Sequence, residues 1–107
     1  MVRDAAIQRT IKDIKNSDIR IQITGYVKDI VENDYIILND KTEDIKVDIQ
    51  AVKYSFQKNN LINVMGKLNF KLEGEKEVEA EIIQDKSNLN FEYYLKLYEI
   101  KKELKLV

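Results

Sequence analysis

Residues 19–49 read IRIQITGYVKDIVENDYIILNDKTEDIKVDI, and this stretch decides the fold. Apolar and polar residues alternate from Ile19 to Lys28, the period-2 signature of a half-buried strand. Ile19, Ile21, Ile23 and Val27 share one side, and Arg20, Gln22, Thr24, Tyr26 and Lys28 share the other. Gly25 falls in the buried row, where it has no side chain to pack. A glycine inside a strand marks a sharp bend or a close backbone approach, and small closed barrels need such a bend. Glu32-Asn33-Asp34 makes a polar turn into Tyr35-Ile36-Ile37-Leu38. A second turn, Asn39 to Glu43, leads to Ile45-Lys46-Val47-Asp48-Ile49, which alternates as a third strand.

Working outward, Leu61 to Phe70 alternates again, with Ile62, Val64, Leu68 and Phe70 on one face and Gly66 in their row. Glu73-Gly74-Glu75 reads as a hairpin turn, since glycine tolerates positive φ. Residues 77–84 form a fifth strand, with Val78, Ala80 and Ile82 inward and Glu77, Glu79 and Glu81 outward as a solvated acidic ladder. The strands are expected near 19–31, 34–39, 44–50, 61–70 and 77–84. Between the third and fourth, residues 51–58 read as one or two helical turns, because Val52 and Phe56 lie four apart. Ala6, Ile7, Thr10, Ile11 and Ile14 carry helical spacing and predict an amphipathic N-terminal helix over 3–15. Asp4 is its early-turn acid, and the helix lies against the barrel mouth. The fold class is mainly β: a five-stranded OB-type barrel over 19–84, with an N-terminal and a C-terminal helix.

Composition narrows the function. The 107 residues fit one domain, 1–107, able to bury a modest core. Cysteine and histidine are absent, which removes disulfides, thiolate chemistry, the commonest general base and the commonest zinc ligands. Nucleophilic triads and zinc sites are therefore excluded. With Gly25, Gly66 and Gly74 the only glycines, so is a phosphate-binding glycine loop. The chain reads as a non-enzyme with no cofactor and no metal. It has no signal peptide or long apolar run, so a cytoplasmic, nucleoid-associated location without membrane contact is expected. Charged residues at 35%, with no Pro, Cys, His or Trp, form a composition common in heat-adapted organisms. The net charge of −1 lacks the basic excess of a dedicated nucleic-acid binder.

Strand order and the two mid-strand glycines carry a resemblance. Asp18 to Ile49, with Val64-Met65-Gly66-Lys67-Leu68, resembles the OB domains of replication protein A and of archaeal single-stranded-DNA-binding proteins. Ile21-Gln22-Ile23-Thr24-Gly25-Tyr26-Val27 matches that family's V-x-V-x-G-x-V. Asp40-Lys41-Thr42-Glu43-Asp44-Ile45-Lys46-Val47 matches its D-G-T-G-x-I-x-V, with Lys41 and Glu43 where glycine is usual. The resemblance implies a subunit of a single-stranded-DNA-binding complex.

A helix is expected over 90–106, capped by Asn90. Tyr93, Leu97, Ile100, Leu104 and Val107 are spaced 4, 3, 4, 3, a heptad seam, and Phe91, Leu95 and Tyr98 add a second stripe. Two readings stay open: a helix folded wholly onto its own barrel, or one that bundles with partner subunits through Phe91, Tyr93, Leu97, Ile100, Leu104 and Val107. In the replication protein A small and middle subunits such helices assemble the trimer, and the resemblance implies assembly with other subunits through the helix here.

The outward side of the first three strands is the OB binding face. Arg20, Gln22, Tyr26, Lys28, Tyr35 and Lys46, with Lys67 from the fourth strand, are the candidate nucleic-acid contacts. Aromatics among basic groups suit single strands, because every base offers a face to stack on. Against this, residues 19–49 carry seven acids and four bases, so single-stranded DNA is expected to bind weakly. An adaptor of a replication or polymerase complex that never touches nucleic acid, and an RNA-binding OB domain, are the alternatives.

Overall fold

The computed structural model describes residues 5–71 and 73–106. Its strands are β1 (Ile7–Gln8), β2 (Arg20–Val31), β3 (Tyr35–Asn39), β4 (Asp44–Asp48), β5 (Leu61–Phe70) and β6 (Lys76–Asp85), followed by helix α1 (Phe91–Glu103). β2, β3, β4, β6 and β5 pair in that order, and β5 returns to β2, which closes a five-stranded barrel. All pairings in the barrel are antiparallel except β4 with β6. Ile21, Ile23, Val27, Ile36, Leu38, Val47, Ile62, Val64 and Val78 are all fully buried, as the alternation predicts, whereas Ile19 and Phe70 at the strand ends, expected in the same rows, are 53% and 44% exposed.

The glycines in these rows stand where two strands touch. A β-carbon on Gly25 would lie 2.7 Å from the Asn39 carbonyl oxygen, and one on Gly66 only 2.2 Å from that of Glu79. Both contacts are with backbone, which cannot move aside without opening the barrel. Gly74 turns the β5–β6 hairpin at φ 83°.

Four expectations are corrected. The N-terminal helix does not form among the described residues. Residues 7–8 instead extend the sheet in parallel beside Ile21 and Gln22, and Ile11–Asp13 make a single 3-10 turn; Asp4 lies outside the described residues. Ile11 and Ile14 still plug the barrel, at 4% and 5% exposure. Long-range partners override the helical spacing: the Arg9 amide donates to the Gln22 carbonyl and the Ile11 amide to the Asp40 carboxylate at 2.7 Å. The β-branched residues here also disfavour a helix.

Second, residues 51–58 form no helix. They run as a strap whose Val52, Tyr54 and Phe56 lean half-buried on the core at every second position. Third, a bulge at Glu81 shifts the β5–β6 register, because Met65 faces Ile82 while Gly66 faces Ala80. The extra residue turns Ile82 outward, 51% exposed, and brings Ile83 against the core. Fourth, the acidic ladder is solvated at Glu79 and Glu81 but not at Glu77. Glu77 is buried at 5% exposure, 2.9 Å from the Lys71 Nζ, and Glu81 forms a two-point pair with Arg20 at 2.8 Å.

Candidate nucleic-acid interface

The outward row of β2 is divided by α1. Asn90 caps the helix by accepting from the Tyr93 amide at 3.0 Å. From there Phe91 comes down on β2, and Tyr94 and Tyr98 on the N-terminal segment beside it, one turn after another. The Phe91 ring meets Tyr26 edge-on at 5.3 Å and stacks on Tyr94 at 5.9 Å. The Tyr94 hydroxyl accepts from Gln8 at 2.9 Å, and the Tyr98 hydroxyl donates to Asp13 at 3.0 Å. Burial raises the Tyr98 phenol pKa. Lys102 closes the seat with an ion pair to Asp13 at 2.9 Å. Burial alone would raise the Asp13 carboxyl, but hydrogen bonds from Lys102 and Tyr98 outweigh it and hold the carboxyl low.

Three expected contacts already have partners within the chain. Tyr26 packs against Phe91, with the Lys41 ammonium 6.0 Å from its ring centre. Gln22 accepts from Asn63 at 3.1 Å, and Asn63 also donates to Thr24 at 2.8 Å. Arg20 is engaged by Glu81. Lys67 is exposed on β5 in register with Arg20, away from the cleft described next.

The other half stays open. Past a register shift between Val27 and Asp29, Lys28 turns toward β3 and β4, where Tyr35 and Lys46 project on the same side. These residues line a cleft of about 930 Å³ that also takes in Ile37, Lys58 and the β5–β6 hairpin. The Lys46 Nζ sits 4.2 Å above the Tyr35 ring centre, a cation–π arrangement that presents an aromatic surface beside a positive charge. The charges balance: Lys28, Lys46, Lys58 and Lys76 against Asp29, Glu43, Asp44 and Glu75. Lys28 pairs with Asp44 at 2.7 Å and Lys58 with Asp29 at 3.5 Å. Hydrogen bonds from Lys28 and then Asn39 hold the Asp44 carboxyl below its ordinary range. Lys46 makes no ion pair among the described residues. Lys58 and Lys76 are not among the expected contacts, because the strap and hairpin that carry them have no local signature of where they fold. No group of carboxylates among the described residues could hold a metal ion.

With its inner face occupied, α1 turns its heptad seam to solvent. Tyr93, Leu97, Ile100 and Leu104 are exposed by 63%, 38%, 52% and 64%, whereas Phe91 is 4% exposed and belongs to the inner face. Val107 lies outside the described residues.

Comparison with solved structures agrees with this architecture. A chain of the S. pombe Stn1–Ten1 complex superposes with a TM-score of 0.77 at 20% identity, over 94% of either chain. The telomere capping protein Ten1 from Saccharomyces pombe gives 0.75 at 19% identity, covering 92% of this chain and 99% of that one. A chain of a replication protein A heterotrimer bound to ssDNA gives 0.66 at 15% identity, over 83% and 75%. At these identities the likeness shows the fold, an OB barrel with a C-terminal helix. No protein-family model matches the chain, and comparison with curated proteins finds no relative. No helix among the described residues is long and apolar enough to cross a membrane.

Proposed function

We propose that this chain is a non-catalytic OB subunit of a single-stranded-DNA-binding complex, assembled through the outer seam of α1. The observation that carries the reading is the division of labour on that helix. Its aromatic face is spent on its own barrel, and four large apolar residues remain in water at heptad spacing. Exposed apolar surface costs about 25 cal/mol per Å², and covering it with a second helix recovers that energy. Solved neighbours with the same fold come from a Stn1–Ten1 complex and an ssDNA-bound replication protein A heterotrimer, which supports both the subunit role and the ligand class. A DNA-associated location inside the cell, in nucleus or nucleoid, goes with this reading.

The contact with DNA is made in the Tyr35–Lys46 cleft and is weak for the isolated chain, with Kd above about 1 μM near physiological salt, because the cleft carries as many carboxylates as lysines and two of those lysines are already paired. That same balance favours the second reading, an adaptor that touches only protein. The test of assembly is Leu97→Glu combined with Leu104→Glu. Both side chains are exposed, so the barrel should keep its unfolding free energy within about 0.5 kcal/mol. Co-purification with partner subunits, and the mass of the assembly by light scattering, should fall to those of the lone chain. An assembly of full mass, or a barrel that unfolds, would show that the seam belongs to the chain's own core.

A further inference from the structure

We propose that the cavity between the 3-10 turn and the C-terminal end of α1 is a phosphate-only contact, which lengthens the Tyr35 cleft's track for a single-stranded nucleic acid. The inference rests on the nucleic-acid reading of that cleft and adds a second site to it.

Charge is the first argument. The chain carries a net −1 and the cleft is balanced, yet this cavity of about 390 Å³ is lined by Arg9, Lys15, Lys102 and Lys105 against Asp13 alone. Arg9 is held by Asp18 through two bonds of 2.9 and 3.1 Å, and Lys102 by Asp13. Lys15 and Lys105 make no ion pair among the described residues, which leaves two cations for an incoming anion.

Helix capping does not account for those lysines. Leu106 donates to the Lys101 carbonyl and Lys105 to that of Lys102, the paired bonds of a Schellman cap, so the last carbonyls already have backbone partners. The cap puts Lys105 at φ 58°, where glycine is the favoured residue. A lysine there is the worse choice for the backbone, and its side chain lines the cavity.

Continuity with the cleft favours a nucleic-acid strand over an acidic peptide. Ile11 and Lys76 line the cleft, and the Lys76 Nζ donates to the Ile14 carbonyl at 3.0 Å. The next residue, Lys15, lines the second cavity, so one turn of chain separates the two. Tyr98, the aromatic lining that cavity, is 1% exposed and gives its hydroxyl to Asp13. No ring is offered to a base, so the contact reads phosphate and not sequence.

The test uses the full chain and two oligothymidylates of about 6 and about 15 nucleotides, bracketing the site size of one OB barrel. Fluorescence anisotropy is followed from low salt upward. Two extra phosphate contacts should steepen the long oligomer's log–log salt slope by about 1.4 relative to the variant Lys15→Ala with Lys105→Gly. The variant should bind the short oligomer unchanged, and Lys105→Gly, which suits the left-handed backbone, keeps the fold intact. A long-oligomer slope that the variant leaves unaltered overturns the proposal while the cleft reading stands. Loss of the short oligomer's binding in the variant also overturns it, since the cavity would then not be separate. Failure of wild type to bind either oligomer defeats the cleft reading and this inference together. An oligoglutamate of equal charge that displaces only the long oligomer's added affinity would reassign the cavity to an acidic peptide.

Discussion

Tyr26 and Tyr35 begin alike and end differently. Both project outward from the same sheet, both stand beside a lysine, and each is half-exposed. Tyr26 meets the edge of Phe91 and has become part of the seat of α1, whereas Tyr35 faces an open cleft with Lys46 above its ring. What separates them is a helix that starts some sixty residues after Tyr26, at Phe91. An aromatic on an OB face is thus a ligand platform or a docking surface according to what the rest of the chain lays over it.

The largest expected effect removes that cover. Tyr98 is the deepest anchor of α1, and replacing such a buried aromatic by Ala typically costs about 3–5 kcal/mol. Tyr98→Ala should lower the unfolding free energy by that amount in urea titrations. A loss under about 1 kcal/mol would mean that α1 is not held by its aromatic face, and the contrast between the two tyrosines would dissolve.

Acid should loosen the same half. Asp18 is held low chiefly by its hydrogen bond from Arg9, and Asp13 by Lys102 and Tyr98 against the opposing effect of burial. Both folded values lie below the unfolded value near 3.8, so the unfolded chain binds more protons in that range. Stability contributed by these carboxylates is complete above pH 3.8 and is lost as pH falls through their folded values. Denaturant midpoints should therefore be flat from neutral pH down to about 5 and fall steeply below about 4. A midpoint that holds to pH 2 would show that the Arg9–Asp18 and Asp13 contacts do not secure the seat.

The tyrosines themselves give the next test. Tyr35→Ala should weaken oligothymidylate binding by about 1–3 kcal/mol, the value of one base stack, and leave stability nearly untouched. Tyr26→Ala should do the reverse, lowering the unfolding free energy and sparing the affinity of the folded fraction. Equal losses of affinity would place both rings in the interface and refute the division of the face.

Much of this was legible in the residues, and the limits were physical. Period-2 alternation gave the barrel strands to within two residues at either end, and Gly25 and Gly66 marked the close approaches, because both signals are local. The N-terminal segment was not legible, since the spacing of Ile7, Ile11 and Ile14 fits a helix while the Asp40 carboxylate that captures the Ile11 amide is 29 residues away. The strap was misread for a simpler reason: Val52 and Phe56, four apart, are also two steps of an extended chain with Tyr54 between. The register shifts at Lys28 and Glu81 have no local signature, yet one directs Lys28 into the cleft and the other gives Arg20 its partner. Of the expected contacts, Lys28, Tyr35 and Lys46 meet in one cleft, and Arg20, Gln22, Tyr26 and Lys67 do not.

The smallest effect runs opposite to the others and tests why the open half should bind weakly. Asp44 accepts from Lys28 and from Asn39, both at 2.7 Å, and so occupies a cation that a phosphate would otherwise meet. The pair is exposed on both sides, and such pairs are worth about 0–1 kcal/mol, so Asp44→Asn should barely change stability. Asn keeps the size of the side chain and removes its charge. With Lys28 released, single-stranded DNA should bind more tightly, and the log–log salt slope should steepen by about 0.7, the increment for one phosphate contact on a single strand. A gain of affinity with no change in slope would mean that only repulsion was relieved. If neither moves, Lys28 does not meet phosphate, the open cleft loses its strongest claim on nucleic acid, and the adaptor reading gains.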